Sequence, residues 1–200
     1  MKTEKKAFEL ELIAPMLGTV PKSKEVYSKY IAGKAIEKNP DGADEIGLEV
    51  ETVQDVEEKG WTGFHQDENG LFIFDYMIKG TIKSGIEAMI ENGSIKKIVA
   101  YKKWIDLFLH VFPRKIHFGI MEPDGVLERP LRAMTAQGPR VSLARSDTVN
   151  DGRTIKFELE LFKNTKGLTL EAVETALGFG KYVGLGQWRG SGGYGRFIVK

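Results

Sequence analysis

Alternation of apolar and charged residues with a period of two marks the predicted strands of this chain. Phe8 to Leu12 reads Phe-Glu-Leu-Glu-Leu, and Phe157 to Leu161 repeats the same five letters. Side chains of a strand point alternately to opposite faces, so each segment predicts a strand with one buried and one solvated face. The repetition predicts two equivalent strands at the centre of one sheet. A third alternating run, Arg140 to Ala144, precedes the second copy, and the intervening Asn150-Asp151-Gly152 predicts that the two form a β-hairpin.

Two further segments carry apolar residues every three or four positions, the pattern of amphipathic helices. The first runs from Ile78 to Ile90 and ends at Asn92-Gly93, and the second runs from Leu170 to Leu177 with Thr169 as its N-cap. A last strand is predicted at residues 195–199. The order strand, helix, strand, strand, helix, strand is that of a ferredoxin-like, or split βαβ, core.

Two long insertions interrupt this core, at about residues 16–77 and 94–138. The first contains a predicted helix over residues 23–35, and the second a possible strand from Lys115 to Met121. No linker rich in proline, serine or glycine divides the chain into independent halves. We therefore expect residues 1–200 to form one α+β domain, with an RRM-like, ferredoxin-like core and two large insertions.

Composition narrows the class of protein. With 42% apolar and 28% charged residues, the chain has the balance of an ordinary folded protein. It contains no cysteine, which excludes disulfides, thiolate zinc sites and cysteine nucleophiles. No apolar stretch approaches the length of a membrane-spanning helix, and the charged N-terminal residues do not resemble a secretion signal. We expect a cytoplasmic protein with no contact to a membrane.

A glycine-rich segment carries the main chemical signal. Residues 178–195 contain eight of the 23 glycines, a density that indicates positive φ angles or close backbone approach to another group. Interleaved amide, aromatic and guanidinium side chains suit the recognition of phosphates and bases. A loop with a packed tryptophan and tyrosine remains an equal alternative. The segment follows a helix and precedes a strand, which is the reverse of known phosphate-binding loops, so no nucleotide cofactor is expected.

Three segments resemble the RAMP superfamily, the ferredoxin-like proteins that form backbone and processing subunits of CRISPR ribonucleoproteins. Residues Gly184 to Arg196 resemble the family's C-terminal glycine-rich loop, which ends in a Gly-Tyr-Gly-Arg step into the last strand. Tyr76 to Lys83 is similar to the segment that opens the first core helix of backbone subunits, and Arg145 to Phe157 is similar to their hairpin.

The resemblance implies a non-catalytic subunit that binds single-stranded RNA and assembles along it, with CRISPR effector proteins or copies of itself as partners. The residues that it places at the RNA are Lys79, Lys83, Gly184, Gly186, Gln187, Trp188, Arg189, Tyr194 and Arg196. Cationic side chains neutralise phosphates, and aromatic rings stack on bases. Four glutamates of the repeated strands form a face that RNA should avoid: Glu9, Glu11, Glu158 and Glu160.

Two other interpretations stay open. A solitary relative carried by a phage or another mobile element could mimic a CRISPR backbone subunit and act as an anti-CRISPR interaction protein. A metal-independent endoribonuclease could use His65, which is predicted to lie in a polar loop beside Trp61 and Asp67 and is the best general-base candidate among three histidines. No metal-binding motif is present in the sequence.

Overall fold

The structure is a computed structural model that describes residues 2–22, 60–135, 138–163 and 167–200. Strands are the most frequent regular elements in these residues. The elements in chain order are β1 (Thr3–Leu12), β2 (Met16–Leu17), β3 (Val20–Pro21), β4 (Trp61–Gly63), β5 (His65–Asp67), β6 (Gly70–Phe74), α1 (Asp75–Glu91), α2 (Tyr101–Phe108), β7 (Leu109–Phe112), β8 (Lys115–His117), β9 (Gly125–Thr135), β10 (Gly138–Val149), β11 (Thr154–Phe162), α3 (Leu170–Gly178), α4 (Gly180–Val183) and β12 (Phe197–Val199). The fold is therefore mixed α and β, as the sequence predicts.

The two repeated segments lie side by side at the centre of a four-stranded antiparallel sheet with the order β12-β1-β11-β7. Phe8 of β1 lies opposite Phe157 of β11, and both rings are buried. The apolar residues of both strands face the helices, while the charged residues face away, because side chains alternate across a strand. The prediction of two equivalent central strands is confirmed.

The predicted hairpin between residues 140–144 and 157–161 is wrong. Residues 138–149 form β10, which pairs with β9 in a long hairpin of a different sheet, and β11 pairs with β1 and β7. Asn150 to Gly152 do form a turn, but it carries the chain from one sheet to the other. Gly152 donates its amide to the carbonyl of Leu12 at 2.8 Å, a contact outside the expected ladder. An alternating pattern predicts a strand without naming its partner.

Both predicted helices are confirmed, as α1 and α3. The α1 helix ends at Asn92-Gly93, where Gly93 has a φ of +76°, and Thr169 caps α3 by accepting a hydrogen bond from the amide of Ala172 at 3.1 Å. The two helices approach closely at Gly85, where a β-carbon would overlap the main chain of Ala176. Among the described residues, no helix is both long enough and apolar enough to span a bilayer.

A five-stranded and a three-stranded sheet complete the strands of the described residues. One has the order β2-β10-β4-β3, with β9 on β10, and the other is the three-stranded sheet β5-β6-β8. The predicted strand at 115–121 is confirmed for residues 115–117 only. The predicted helix at 23–35 lies outside the described residues.

Candidate nucleic-acid interface

The glycine-rich loop, residues 184–196, connects α4 to β12. Five of its glycines have positive φ angles between +64° and +82°, a region that side chains with a β-carbon rarely occupy: Gly184, Gly186, Gly190, Gly193 and Gly195. Trp188 adopts the same left-handed conformation with a φ of +57°. The glycine content is therefore explained first by the path of the backbone.

The base of the loop is packed inside the protein. The amide of Leu185 donates to the carbonyl of Gly195 at 2.8 Å, and the amide of Gly195 donates to Pro15 at 2.8 Å. A β-carbon at Gly195 would overlap the carbonyl of Leu185, and one at Gly186 would lie 2.7 Å from the carbonyl oxygen of Leu17. These glycines are needed so that the chain can pack against itself, and they leave no room for a ligand.

The tip of the loop, residues 189–193, is open by contrast. Arg189, Ser191 and Gly192 are exposed, and a β-carbon at Gly190 would meet no atom within 4 Å. Gly193 donates to the carbonyl of Gly190 at 3.0 Å and closes a short turn. The tip therefore leaves open space beside its main chain at Gly190, which the packed base does not.

Gln187 holds the loop in place. With its amide oriented so that both ends find partners, Nε2 donates to Gly18 and Thr62 at 2.8 Å each, and Oε1 accepts from the indole nitrogen of Trp188 at 3.1 Å. All of its amide groups are thus engaged within the protein. The structure places Gln187 as a positioning residue for Trp188.

Trp188 and Tyr194 share a cation that the sequence analysis missed. The guanidinium carbon of Arg129, from β9, lies 4.0 Å from the centroid of the Trp188 ring and 5.7 Å from that of Tyr194. A guanidinium over an aromatic face is stabilised by the ring's quadrupole. Because Arg129 is 59 positions away from Trp188, no local motif in the sequence could have joined them.

The first helix meets the loop at Gly80. A terminal nitrogen of Arg189 would lie 3.7 Å from a β-carbon at this position, so the guanidinium lies against the bare helix backbone. Lys79, the neighbouring residue, makes no ion pair with any described residue. Lys83, one turn further, differs because its ammonium binds Asp106 at 2.6 Å. The structure therefore brings Lys79 near the loop and engages Lys83 elsewhere.

Four cations thus lie on or beside the glycine-rich loop, and we call them the basic surface: Lys79, Arg129, Arg189 and Arg196. Within the described ranges none of them forms an ion pair, and Nε of Arg196 is buried without a hydrogen-bond partner. Positive charges without counter-charges attract a polyanion, since their field is not cancelled locally.

The outer face of the four-stranded sheet differs from the basic surface in that its charges are paired. Its glutamates are balanced by lysines: Lys5 lies 3.4 Å from both Glu158 and Glu160, and Lys156 lies 3.2 Å from Glu9. Glu11 is paired in the same way with the last residue of the chain. The glutamates of this face are therefore held in solvated ion pairs, and these described lysines are balanced by carboxylates.

The histidine singled out as a general base lies in β5, so its predicted placement in a polar loop is wrong. The His65 ring stacks on Phe72 at 5.5 Å and meets Phe74 edge-on at 4.7 Å. Burial, aided by the charge of Lys115, lowers the pKa of His65. On the same sheet, Asp67 binds Lys115 at 2.7 Å and His117 at 2.9 Å, and these partners hold the pKa of Asp67 well below its usual range.

No group of three or more histidine, aspartate or glutamate side chains in the described part of the chain is arranged to hold a metal ion. The chemistry that the candidate interface offers is thus charge neutralisation, hydrogen bonding by main-chain amides and aromatic stacking.

Comparisons with known proteins give a likeness of fold. No protein-family model and no curated protein matches the sequence. Among solved structures, the chain is similar to a chain of the Type III-B Cmr-beta complex, determined by cryo-EM with cognate target RNA bound. The TM-score is 0.52 at 15% identity, and the match covers 100% of this chain and 59% of the other. This protein thus shares its fold with a chain of that complex and spans about three-fifths of that chain's length.

Proposed function

We propose that this protein is a non-catalytic, single-stranded-RNA-binding subunit of the RAMP type, which assembles along RNA with CRISPR effector proteins or copies of itself in the cytoplasm. Its core is ferredoxin-like in this proposal, since the strands of the four-stranded sheet alternate with α1 and α3 along the chain in the split βαβ order. Residues 1–200 form one domain in which the remaining sheets and α2 are insertions.

One observation carries the proposal: an open glycine turn projects from a packed base, and the cations around it form no ion pair with a described residue. The exposed tip offers its main chain, while Arg189, Arg196 and Arg129 supply positive charge that no described carboxylate balances. Phosphate contacts supply most of the affinity for single strands, and such a site follows the backbone without reading the sequence.

The geometry favours binding over cleavage. His65, the residue considered as a general base, contacts the rings of Phe72 and Phe74 and makes no hydrogen bond to a described residue, so no described polar group orients it for proton transfer. Incubation of labelled RNA with the wild-type protein and with His65→Ala tests the alternative. Cleavage by the wild type alone would replace the binding role with an enzymatic one.

Fluorescence anisotropy with single-stranded RNA, measured over a range of salt concentrations, tests the binding role. The slope of log affinity against log salt should be negative, and Arg189→Ala with Arg196→Ala should reduce its magnitude by about 1.4, or about 0.7 for each phosphate contact. The matched control is Lys5→Ala with Lys156→Ala, which removes the same charge from the outer face of the sheet.

The control pair should bind RNA as the wild type does. No affinity at low salt, or an equal loss in both double variants, would reject the proposal. A pull-down with purified CRISPR effector proteins tests the partners separately, since a mimic of a backbone subunit captures them without RNA.

A further inference from the structure

The three-stranded sheet carries a row of aromatic rings that the glycine-rich loop does not use. Phe72 and Phe74 point to the same face of β6, and His65 of the neighbouring β5 lies directly opposite Phe72. The His65 ring contacts both phenylalanines, and the Phe74 ring stacks on Tyr76 of α1 at 5.6 Å and 22°. The opposite face of this sheet is apolar and belongs to the protein core, which includes Leu71, Ile73 and Ile116.

The outer part of this row is accessible to solvent. The Tyr76 side chain is 59% exposed, and Phe74 and His65 are half-buried, whereas Phe72 is buried beneath them. We call His65, Phe74 and Tyr76 the aromatic strip. Contiguous rings that are partly open to solvent are a candidate contact site, since large apolar groups left in water are unfavourable.

Cations flank the aromatic strip. The guanidinium carbon of Arg114 lies 5.8 Å from the Phe74 ring, and Arg114 is exposed and makes no ion pair with a described residue. Lys115 lies over Phe72 at 4.8 Å, with its charge balanced by Asp67. Accessible rings beside a guanidinium are the chemistry by which proteins stack the bases of a single strand and hold its phosphates.

The aromatic strip is also continuous with the basic surface. Tyr76 and Lys79 are three residues apart on α1, so their side chains lie on adjoining turns of the same helix face. Arg189 of the loop tip lies against the next residue, Gly80. A single strand that binds the tip can therefore continue over Lys79 onto the aromatic strip.

We propose that the aromatic strip is a base-stacking site for single-stranded RNA, formed by His65, Phe74 and Tyr76 with Arg114 beside them. This rests on the proposed RNA-binding function and adds bases as the group recognised there. In this proposal the bases stack on the surface of the three-stranded sheet.

An abasic oligoribonucleotide separates stacking from phosphate binding. Tyr76→Leu should weaken binding of oligouridine about fivefold, since stacking on one ring is at the lower end of its usual range. The same variant should bind an abasic oligoribonucleotide of equal length within about twofold of the wild type, because no phosphate contact is lost. Phe112→Leu, which alters a 47% exposed ring on β7, is the matched control and should change neither affinity.

A second measurement does not depend on any variant folding. Crosslinking of 4-thiouridine RNA to the wild-type protein, followed by mass spectrometry, should give adducts in the peptide with the aromatic strip as well as in the loop. Unchanged oligouridine binding by Tyr76→Leu, equal losses for both oligonucleotides, or crosslinks confined to residues 184–196 would each overturn the stacking site alone. If the wild type binds no RNA at all, the proposed function fails and the stacking site with it.

Discussion

Gly190 and Gly195 have similar φ angles, +71° and +64°, but different surroundings. We predict that alanine at the two sites has very different effects on the free energy of unfolding. In each case a β-carbon in the left-handed region costs about 1 kcal/mol. At Gly190 this is the whole effect, because the added carbon meets no atom within 4 Å. Gly190→Ala should therefore lower the free energy of unfolding by about 1 kcal/mol.

At Gly195 the same change also displaces the main chain. The β-carbon would overlap the carbonyl of Leu185, so it strains the two hydrogen bonds that Gly195 makes with Leu185 and Pro15, each 2.8 Å long. A buried backbone group left unsatisfied costs about 1–3 kcal/mol. Gly195→Ala should therefore lower the free energy of unfolding by about 3–5 kcal/mol.

Urea unfolding of the two variants measures the difference, since the conformational cost is common to both and cancels. We expect a gap of at least about 2 kcal/mol with an unchanged dependence on urea, because the exposed surface on unfolding is the same. Equal destabilisation would show that the base of the loop is not packed as described. The division into a packed base and an open tip would then be refuted.

Three further predictions concern other parts of the chain. In α1, Gly85→Ala should lower the free energy of unfolding by about 2–4 kcal/mol, because its β-carbon would overlap the main chain of Ala176. Gly80→Ala should raise it by up to about 1 kcal/mol in the same urea assay, because alanine has the higher helix propensity and its β-carbon has room there. The depressed pKa of Asp67 means that its stabilising contribution is complete above about pH 4 and is lost as the pH falls toward the folded pKa. Asp67→Asn should consequently flatten the acid-side fall in Tm, and an unchanged profile would contradict the ion pair. Asp147→Ala should lower the free energy of unfolding by about 2–3 kcal/mol, since the buried carboxylate binds the indole of Trp61 at 2.9 Å and Lys22 at 2.8 Å. Lys22→Met should lower it by less than about 1 kcal/mol, because the lysine side chain is partly exposed.

The helices and central strands of the core could be predicted from the sequence, because each depends on the spacing of apolar residues within one short segment. The period-two repeat at Phe8–Leu12 and Phe157–Leu161 and the helical spacing from Ile78 to Ile90 are both present in the structure. The pairing of strands is different, since it depends on contacts between distant residues. In the four-stranded sheet, the strand that pairs with β11 at the edge is β7, whose four residues Leu109–Phe112 are too few for a clear alternating pattern. The longer alternating run at residues 140–144 belongs to β10, which pairs with β9.

The candidate interface was predictable to the extent that it lies in one segment. Arg189 and Arg196 are visible in the glycine-rich loop, and the structure leaves both without a described counter-charge. Arg129 lies on β9 and is brought to the loop by the tertiary structure of the β9–β10 hairpin, so no residue spacing in the sequence could have predicted this contact. Likewise, the engagement of Gln187 with Gly18 depends on tertiary packing that a linear motif does not contain.

Hydrogen exchange of individual amides, with and without single-stranded RNA, tests the central claim most directly. The claim is that main-chain amides at the loop tip touch the RNA while the base of the loop serves the protein. Exchange at residues 189–192 should slow when RNA is added, and exchange at Leu185 and Gly195, whose amides are already hydrogen-bonded, should stay unchanged. Unaltered exchange at the tip under RNA saturation would contradict the account.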